Sequence, residues 1–389
     1  MSEVAQAPQL RFPEFIGEWD VTNFGNISSI KRGASPRPIS SPKWFDKDSS
    51  VGWVRISDVT KSKKYLKKTE QYLSEDGINR SRKVDKGNLI MSICATIGKP
   101  IYTNFNVCIH DGFIVFDSLS EDKGFIYYLL EKIQKKWYRY GQPGTQVNLN
   151  SDIVSSEIFS IPTKPEQQKI AAFLAAVDSK IEQLSKKQEL LGEYKKGSMQ
   201  QIFSQAIRFK ADDGSEFPDW EEKKLGGVGR IRKGSQLNKS ELTDTGDYPA
   251  INGGINPSGY TDKWNTGKNT ITISEGGNSC GYINFITSKF WSGGHCYSIE
   301  ELKGDVLNRF LFQYLKFNEY LIMRLRVGSG LPNIQKGEIN NFKVNLPSLE
   351  EQTKISNFLS SIDSKIEQVG GQLDESKQFK KALLQQMFV

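Results

Sequence analysis

The stretch PTKPEQQKIAAFLAAVDSKIEQL, residues 162–184, is written twice in this chain of 389 residues. It returns 185 residues later as PSLEEQTKISNFLSSIDSKIEQV, residues 347–369, and thirteen of the first 22 aligned positions are identical without a gap. The match resumes at YKKGSMQQIF (residues 194–203) against FKKALLQQMF (residues 379–388). Self-similarity at a fixed period sets the architecture before any local signal does. Each copy predicts one long helix. Thr163 with Glu166, and Ser348 with Glu351, have the spacing of a capping box, in which hydroxyl and carboxylate each take a backbone N–H that the helix leaves unpaired. Pro162 and Pro347 stand just outside the start, and Pro165 falls in the first turn, where it costs no hydrogen bond.

Beyond the caps the apolar residues step by three and four. The first copy gives Leu174, Val177, Ile181, Leu184 and Leu191; the second gives Leu359, Ile362, Ile366, Val369 and Leu373. This heptad spacing suits helix–helix packing. Polar residues at Gln188, Lys195, Ser376 and Lys380 interrupt it, so the expectation is a discrete pair rather than a fibre. A helix of roughly 40 residues is about 60 Å long. Neither can bury its stripe alone, and the other copy is its natural partner, packed head to tail.

The repeat divides the chain. We expect a globular segment at 1–161, a helix at 162–206, a second globular segment at 207–346 and a second helix at 347–389. At this length two or three domains are expected, and 37% hydrophobic with 11% aromatic residues is enough to build their cores. No run approaches the roughly 18–20 apolar residues of a membrane span, and the first thirty residues read as no signal peptide. Cys94, Cys108, Cys280 and Cys296 are too widely spaced for a disulfide framework, and a reducing cytoplasm is the expected home.

The globular segments also repeat, more faintly. RFPEFIGEW (residues 11–19) has a counterpart in RFKADDGSEFPDW (residues 208–220), and both lead through Ile30 to Gly33 and Ile231 to Gly234. Short strands are expected at 51–56, 88–93, 100–103 and 112–116, then a helix at 124–138. The second segment keeps that order, with strands at 248–251, 269–274, 281–286 and 296–299 and a helix at 306–326. Each closes with a glycine-containing loop and a further strand: GQPGTQVNLNSDI (141–153) and VGSGLPNIQKGEI (327–339). Glycine admits close approach of a partner, and Thr145, Gln146, Asn148, Ser329 and Asn333 are groups that contact phosphates or base edges. A plain turn into the last strand is the competing reading. Asn252, Asn256 and Asn278 lie in Gly/Asn-rich loops that fit no phosphate-binding motif but could present amides to adenine; surface hairpins would look the same.

The net charge of +7 is unevenly spread. Residues 55–86 hold ten Lys/Arg against five Asp/Glu, among them Lys61, Lys63, Lys64, Lys67, Arg80 and Arg82, with Trp53, Tyr65 and Tyr72 interleaved. Such a strip suits contact with a phosphate backbone, although a merely solvated face carries charge too.

Catalytic signatures are missing. The two histidines, His110 and His295, lie at the same 185-residue offset and assemble no four-ligand zinc spacing; packing or turn roles are expected. There is no nucleophile elbow, no His-Glu-x-x-His, no glycine-rich strand-to-helix turn for a dinucleotide or S-adenosylmethionine, and no Asn/Asp-Pro-Pro-aromatic motif. The chain is expected to catalyse nothing itself.

Two divergent globular segments, each followed by Pro-x-x-x-Glu-Gln-x-x-Ile-x-x-Phe-Leu-x-x-x-Asp-x-Lys-Ile, resemble the DNA-specificity subunit of type I restriction–modification enzymes. The match falls on Pro162, Glu166, Gln167, Ile170, Leu174, Asp178 and Ile181, and again on Pro347, Glu351, Gln352, Ile355, Leu359, Asp363 and Ile366. The first copy has Thr-Lys-Pro where Pro-Leu-x is commoner, which leaves the cap intact. The resemblance implies an α+β fold: two α/β target recognition domains alternating with two long helices that pair as an antiparallel coiled coil, in a pseudo-two-fold internal repeat. It implies that each domain reads one half of an asymmetric site in double-stranded DNA, and that the helices space the halves. Leu174, Val177, Ile181, Leu184, Leu359, Ile362, Ile366 and Val369 would serve pairing and docking of partners. Those partners would be two adenine-N6 methyltransferase subunits and two motor–nuclease restriction subunits, which would carry S-adenosylmethionine, ATP and Mg; this chain would hold no cofactor, no metal and no membrane.

Overall fold

The computed structural model describes residues 7–140, 149–328 and 330–389. It divides into two compact units whose boundaries fall inside the long helices: Met1–Ser185 with Gly371–Val389, and Lys186–Gly370.

In the first unit a five-stranded sheet runs in the order Ser29–Arg32, Phe113–Asp117, Leu89–Ser92, Pro100–Thr103, Tyr65–Leu66. A four-stranded sheet follows the order Gln71–Tyr72, Gly52–Val54, Val107–Ile109, Arg82–Val84. Strand FIVFD (Phe113–Asp117) shows why the central strands are largely apolar. Ile114 and Phe116 enter the core beneath helix Lys123–Ile133, while Phe113 and Val115 enter the core between the sheets. A strand covered on both faces has no polar side to show. In the second unit TITIS (Thr270–Ser274), which takes the place of Leu89–Ser92, does alternate: Ile271 and Ile273 face helix Asn308–Phe317, and its Thr and Ser residues are buried on the other face. It lies third in a sheet of order Arg230–Lys233, Cys296–Glu300, Thr270–Ser274, Ile283–Ile286.

Three local expectations are corrected. The segment 51–56 is a strand only at Gly52–Val54, after which Ile56–Lys61 turns into a short helix capped by Asp58, whose carboxylate accepts from the Arg55 N–H at 2.8 Å. The helix expected at 306–326 breaks at Asn318 into Asn308–Phe317 and Glu319–Met323, the Asn318 amide bonding back to the Tyr314 carbonyl at 2.9 Å. Trp53, expected as an aromatic of a binding strip, is buried beside Trp44, Leu73 and Cys108.

The long helices span Lys164–Phe203 and Leu349–Gln386. Within the first unit the start of the first helix lies against the end of the second, with Lys380 Nζ 2.8 Å from Asp178. Within the second unit the end of the first lies against the start of the second, with Lys195 Nζ 2.5 Å from Asp363. The pair is therefore antiparallel. Leu184, Ile362, Val369 and Leu373 are buried, and Val177, Ile181 and Ile366 are half-buried. Leu174 and Leu359 go further into the domain cores, with Phe125 and Leu383 in one unit and Phe310 in the other.

The repeated Glu-Gln has a use different from the capping box. Glu166 is 1% exposed, and its carboxylate accepts two hydrogen bonds from Arg11, at 2.7 and 2.8 Å. Glu351, fully buried, accepts from Arg208 at 3.2 and 2.8 Å and from Trp220 Nε1 at 3.1 Å. The Ser348 hydroxyl still accepts the Glu351 N–H at 3.3 Å. Next in sequence, the buried Gln167 accepts the Asp122 N–H at 3.0 Å, and Gln352 accepts the Leu307 N–H at 2.7 Å. Each glutamine thus satisfies an orphan donor at the start of a domain helix. The phrase Arg-Phe completes the joint: Phe12 meets Phe173 edge-on at 5.8 Å, and Phe209 meets Phe358 at 5.7 Å.

Candidate nucleic-acid interface

In each unit, loops gather at the turn that carries the histidine. In the first unit the backbone N–H groups of Gly33 and Ala34 donate to Phe113 and Ile109. A Cβ on Gly33 would lie 2.0 Å from the His110 carbonyl oxygen, so only glycine fits. Leu149, where the described chain resumes, donates to the Ile93 carbonyl at 3.1 Å, and Ile93 donates to Gly112. Asp111 is the polar hub of this turn. Its carboxylate accepts from the Ser35 hydroxyl at 2.7 Å and lies 3.5 Å from Arg37, and its carbonyl accepts from Arg32 Nε at 2.8 Å. The Ser35 hydrogen bond chiefly holds the Asp111 carboxyl below its ordinary range. Arg82 Nε donates to the Arg32 carbonyl at 3.1 Å, which sets its guanidinium at the same edge. His110 has the turn and packing role expected: Nδ1 accepts the Gly112 N–H at 2.9 Å, the ring meets Phe113 at 4.8 Å, and burial pushes its pKa down.

In the second unit the hub is Glu275, 5% exposed at its side chain. Oε1 accepts from Lys233 Nζ at 2.5 Å and from the Tyr297 hydroxyl at 2.9 Å, and His295 Nδ1 lies 3.5 Å from Oε2. Burial raises the Glu275 pKa, but the hydrogen bonds from Lys233 and Tyr297 and the nearby charges outweigh it and leave it lowered. Pro332 and Ile334 close over this hub: Ile334 N–H donates to the Glu275 carbonyl at 2.8 Å, and Gly277 N–H to Pro332 at 3.0 Å. Asn252 Oδ1 accepts the His295 N–H at 3.2 Å, and Gly253, at φ +86°, passes so close to the His295 carbonyl that a Cβ would lie 2.4 Å from it.

The candidates chosen from sequence separate accordingly. Asn252 is half-buried with its oxygen accepting from the His295 turn, whereas Asn256, Asn278 and Asn333 are exposed on these loops. Thr145, Gln146, Asn148 and Ser329 lie outside the described residues. Arg80 is exposed with its guanidinium 5.7 Å from the Trp44 ring.

The lysine strip is elsewhere. Lys61, Lys63, Lys64, Lys67 and Lys68 line a groove of about 1160 Å³ whose other wall holds Asp178, Ile181, Glu182, Lys377 and Lys380 of the long helices. Lys61 pairs with Glu70 at 2.7 Å, and Lys63 and Lys67 are exposed. Lys64 is not available as a phosphate contact: its ammonium donates to Tyr128 OH at 2.8 Å, and that hydroxyl donates to Asp178 at 2.6 Å. Burial pushes the Lys64 pKa down while Asp178 pulls it up. A side chain four carbons long can turn inward, and residue order does not tell which one does.

Arg32, Arg37, Asp111, Lys233, Glu275 and His295 were missed by residue reasoning, although a signal for some existed. Arg32 and Lys233 sit in the repeated phrases Ile-Lys-Arg-Gly and Ile-Arg-Lys-Gly, just before the glycines that contact the histidine turns. Among the described residues no group of His, Cys, Asp and Glu could hold a metal ion, and no helix is long and apolar enough to cross a membrane.

Comparison with known proteins agrees with this arrangement. The sequence pattern described as "Type I restriction modification DNA specificity domain" matches residues 16–191 and again 218–376. The chain is 30% identical over 172 residues to a type I specificity subunit of Mycoplasma pneumoniae, covering 44% of this chain and 46% of that protein, so it spans about half of that relative's length. With a type I restriction enzyme specificity subunit of Methanocaldococcus jannaschii the identity is 24% over 419 residues, covering 96% of this chain and 92% of the other. The fold is similar to the crystal structure of a type I restriction-modification system S subunit from M. genitalium, with TM-score 0.66 at 18% identity over 98% of this chain and 99% of that one.

Proposed function

Because the chain belongs to the type I restriction–modification DNA specificity family, we propose that it is the subunit that selects the DNA sequence, each unit reading one half of a bipartite, asymmetric site. One observation carries this reading. The same loop cluster is built in both units around the same turn, yet its polar groups differ: Arg32, Ser35, Arg37 and Asp111 in one, Lys233, Glu275 and His295 in the other. One plan with two sets of donors and acceptors suits two half-sites of unlike sequence.

In this reading the chain is not catalytic. It presents double-stranded DNA to two adenine-N6 methyltransferase subunits, which carry S-adenosylmethionine and must extrude the base they modify. Two motor–nuclease subunits supply ATP- and Mg-dependent cleavage. The paired helices set the spacing of the halves and dock partners through their seam-flanking faces, and the complex works in the cytoplasm.

The test is selection from a randomised duplex pool by the chain with its methyltransferase partner, in wild type and with residues 1–161 exchanged for another such domain. A two-part site of which only one half changes is expected. If both halves change, or no sequence is enriched, the reading fails.

A further inference from the structure

We infer that Glu275 positions His295 and Lys233 as a pair of hydrogen-bond donors that reads one guanine in the half-site of the second unit. This rests on the DNA-reading function proposed above and names the groups that carry it out.

Glu275 follows directly on strand Thr270–Ser274, and its backbone is held from both sides: its N–H donates to the His295 carbonyl and its carbonyl accepts from Ile334. Its carboxylate is buried, with Oε1 shared by Lys233 and Tyr297. Oε2 is also buried and has no hydrogen-bond partner among the described residues. His295 Nδ1, 3.5 Å away, is the group that a small rotation of the ring would bring into donation. An unmade bond of this kind is expensive for a carboxylate, so the geometry favours Nδ1–H turned to Glu275.

The other ends of both side chains are open. Lys233 is 51% and His295 63% exposed, at the centre of the gathered loops. With the ring protonated, what they offer outward is donors only: Nε2–H and the remaining ammonium hydrogens. In the major groove, guanine presents two adjacent acceptors, O6 and N7, with no donor beside them. Adenine and cytosine each put an amino group in the way, and thymine a methyl. A phosphate contact would make poor use of this arrangement, because the buried carboxylate cancels one of the two positive charges and repels the phosphate. Orientation, rather than charge, is what Glu275 adds.

The experiment uses the chain with its methyltransferase subunits and a randomised duplex pool sequenced after selection. Wild type is expected to enrich a two-part site. His295→Ala and Lys233→Ala should each reduce the preference for guanine at one shared position of one half by roughly ten-fold or more, leaving the other half intact. Glu275→Gln, which keeps the volume and removes the charge, should act at that same position; a merely structural role would weaken every sequence alike. His295→Ala alters an exposed side chain and keeps the test open if Glu275→Gln folds poorly. Unchanged base preference in His295→Ala and Lys233→Ala, or uniform weakening without a change of preference, overturns the inference and leaves the proposed function standing. Failure of wild type to enrich any site would remove both.

Discussion

Lys380 places its ammonium 2.8 Å from Asp178 and 2.8 Å from Glu131, and in the other unit Lys195 stands 2.5 Å from Asp363. Lys380 and Lys195 are 185 residues apart, as are Asp363 and Asp178. The lysine of each copy therefore neutralises the aspartate of the other, the intrachain equivalent of an isologous contact in a two-fold dimer. This explains why the polar breaks in the heptad fall where they do: Lys195 and Lys380 interrupt the stripe to meet an acid on the facing helix.

Removing Lys380 takes the direct ion-pair partner from two carboxylates, each 25% exposed, and leaves Lys64 one hydrogen bond away through Tyr128. Lys380→Ala should destabilise the chain by about 1–3 kcal/mol, less than for a fully buried pair because water still reaches the site. Lys195→Ala, with one acid at stake, should cost less. The exchange Lys380→Asp with Asp178→Lys should recover part of the loss, since Glu131 remains near the new lysine. Chemical denaturation of the four proteins measures this, and equal losses for Lys380→Ala and Lys195→Ala would contradict the assignment.

The same triad sets an alkaline limit. Burial lowers the Lys380 pKa, but Glu131 and Asp178 outweigh it and leave it raised. A lysine whose folded pKa lies above the unfolded value of roughly 10.4 stabilises the fold fully below that value. The contribution is lost as pH rises through the folded pKa. Melting temperature should therefore fall more steeply above about pH 10.4 in wild type than in Lys380→Met. Parallel curves for the two would show that another group controls the alkaline transition.

The repeat made the long helices and their antiparallel pairing readable from sequence, because helix periodicity and a shared offset survive divergence. Of the seam residues, Leu184, Ile362 and Val369 are buried and Val177, Ile181 and Ile366 half-buried. What residue order conceals is direction. Lys63 and Lys64 are neighbours in one strip, yet Lys63 faces solvent and Lys64 turns to Tyr128. Glu166 and Glu351 have capping-box spacing, but the buried arginine fork was a stronger partner than a backbone N–H. Glu275 looked like one more residue of a Gly/Asn loop until the fold carried Lys233, Tyr297 and His295 to it from distant positions.

The arginine forks give a third prediction. Glu166 and Glu351 are buried charges whose neutralisation depends on Arg11 and Arg208. Arg11→Ala or Arg208→Ala should each cost about 3–5 kcal/mol, the penalty of an unpaired buried carboxylate. Arg→Lys should recover little, since an ammonium cannot donate two parallel bonds to one carboxylate in this geometry. The double variant Arg208→Met with Glu351→Gln should be milder than Arg208→Met alone. Urea midpoints decide, and a worse double variant would show that the charge itself is not the problem.

The lysine strip can now be divided by experiment. Lys63 and Lys67 are exposed, so if they meet phosphates, replacing both by alanine should weaken binding to all DNA sequences alike. The slope of log K against log salt should then become shallower by about 0.9 for each phosphate that is no longer neutralised. Lys64 should behave differently, because its ammonium is held by Tyr128 and lies 4.9 Å and 4.4 Å from the Tyr127 and Tyr128 rings. Lys64→Met keeps the stem, which packs against the helices, and removes the charge. Its salt slope should match wild type, and its melting temperature should respond instead. A salt slope lowered by Lys64→Met would mean that this ammonium leaves Tyr128 when DNA binds, and the groove wall would then belong to the DNA-contacting surface.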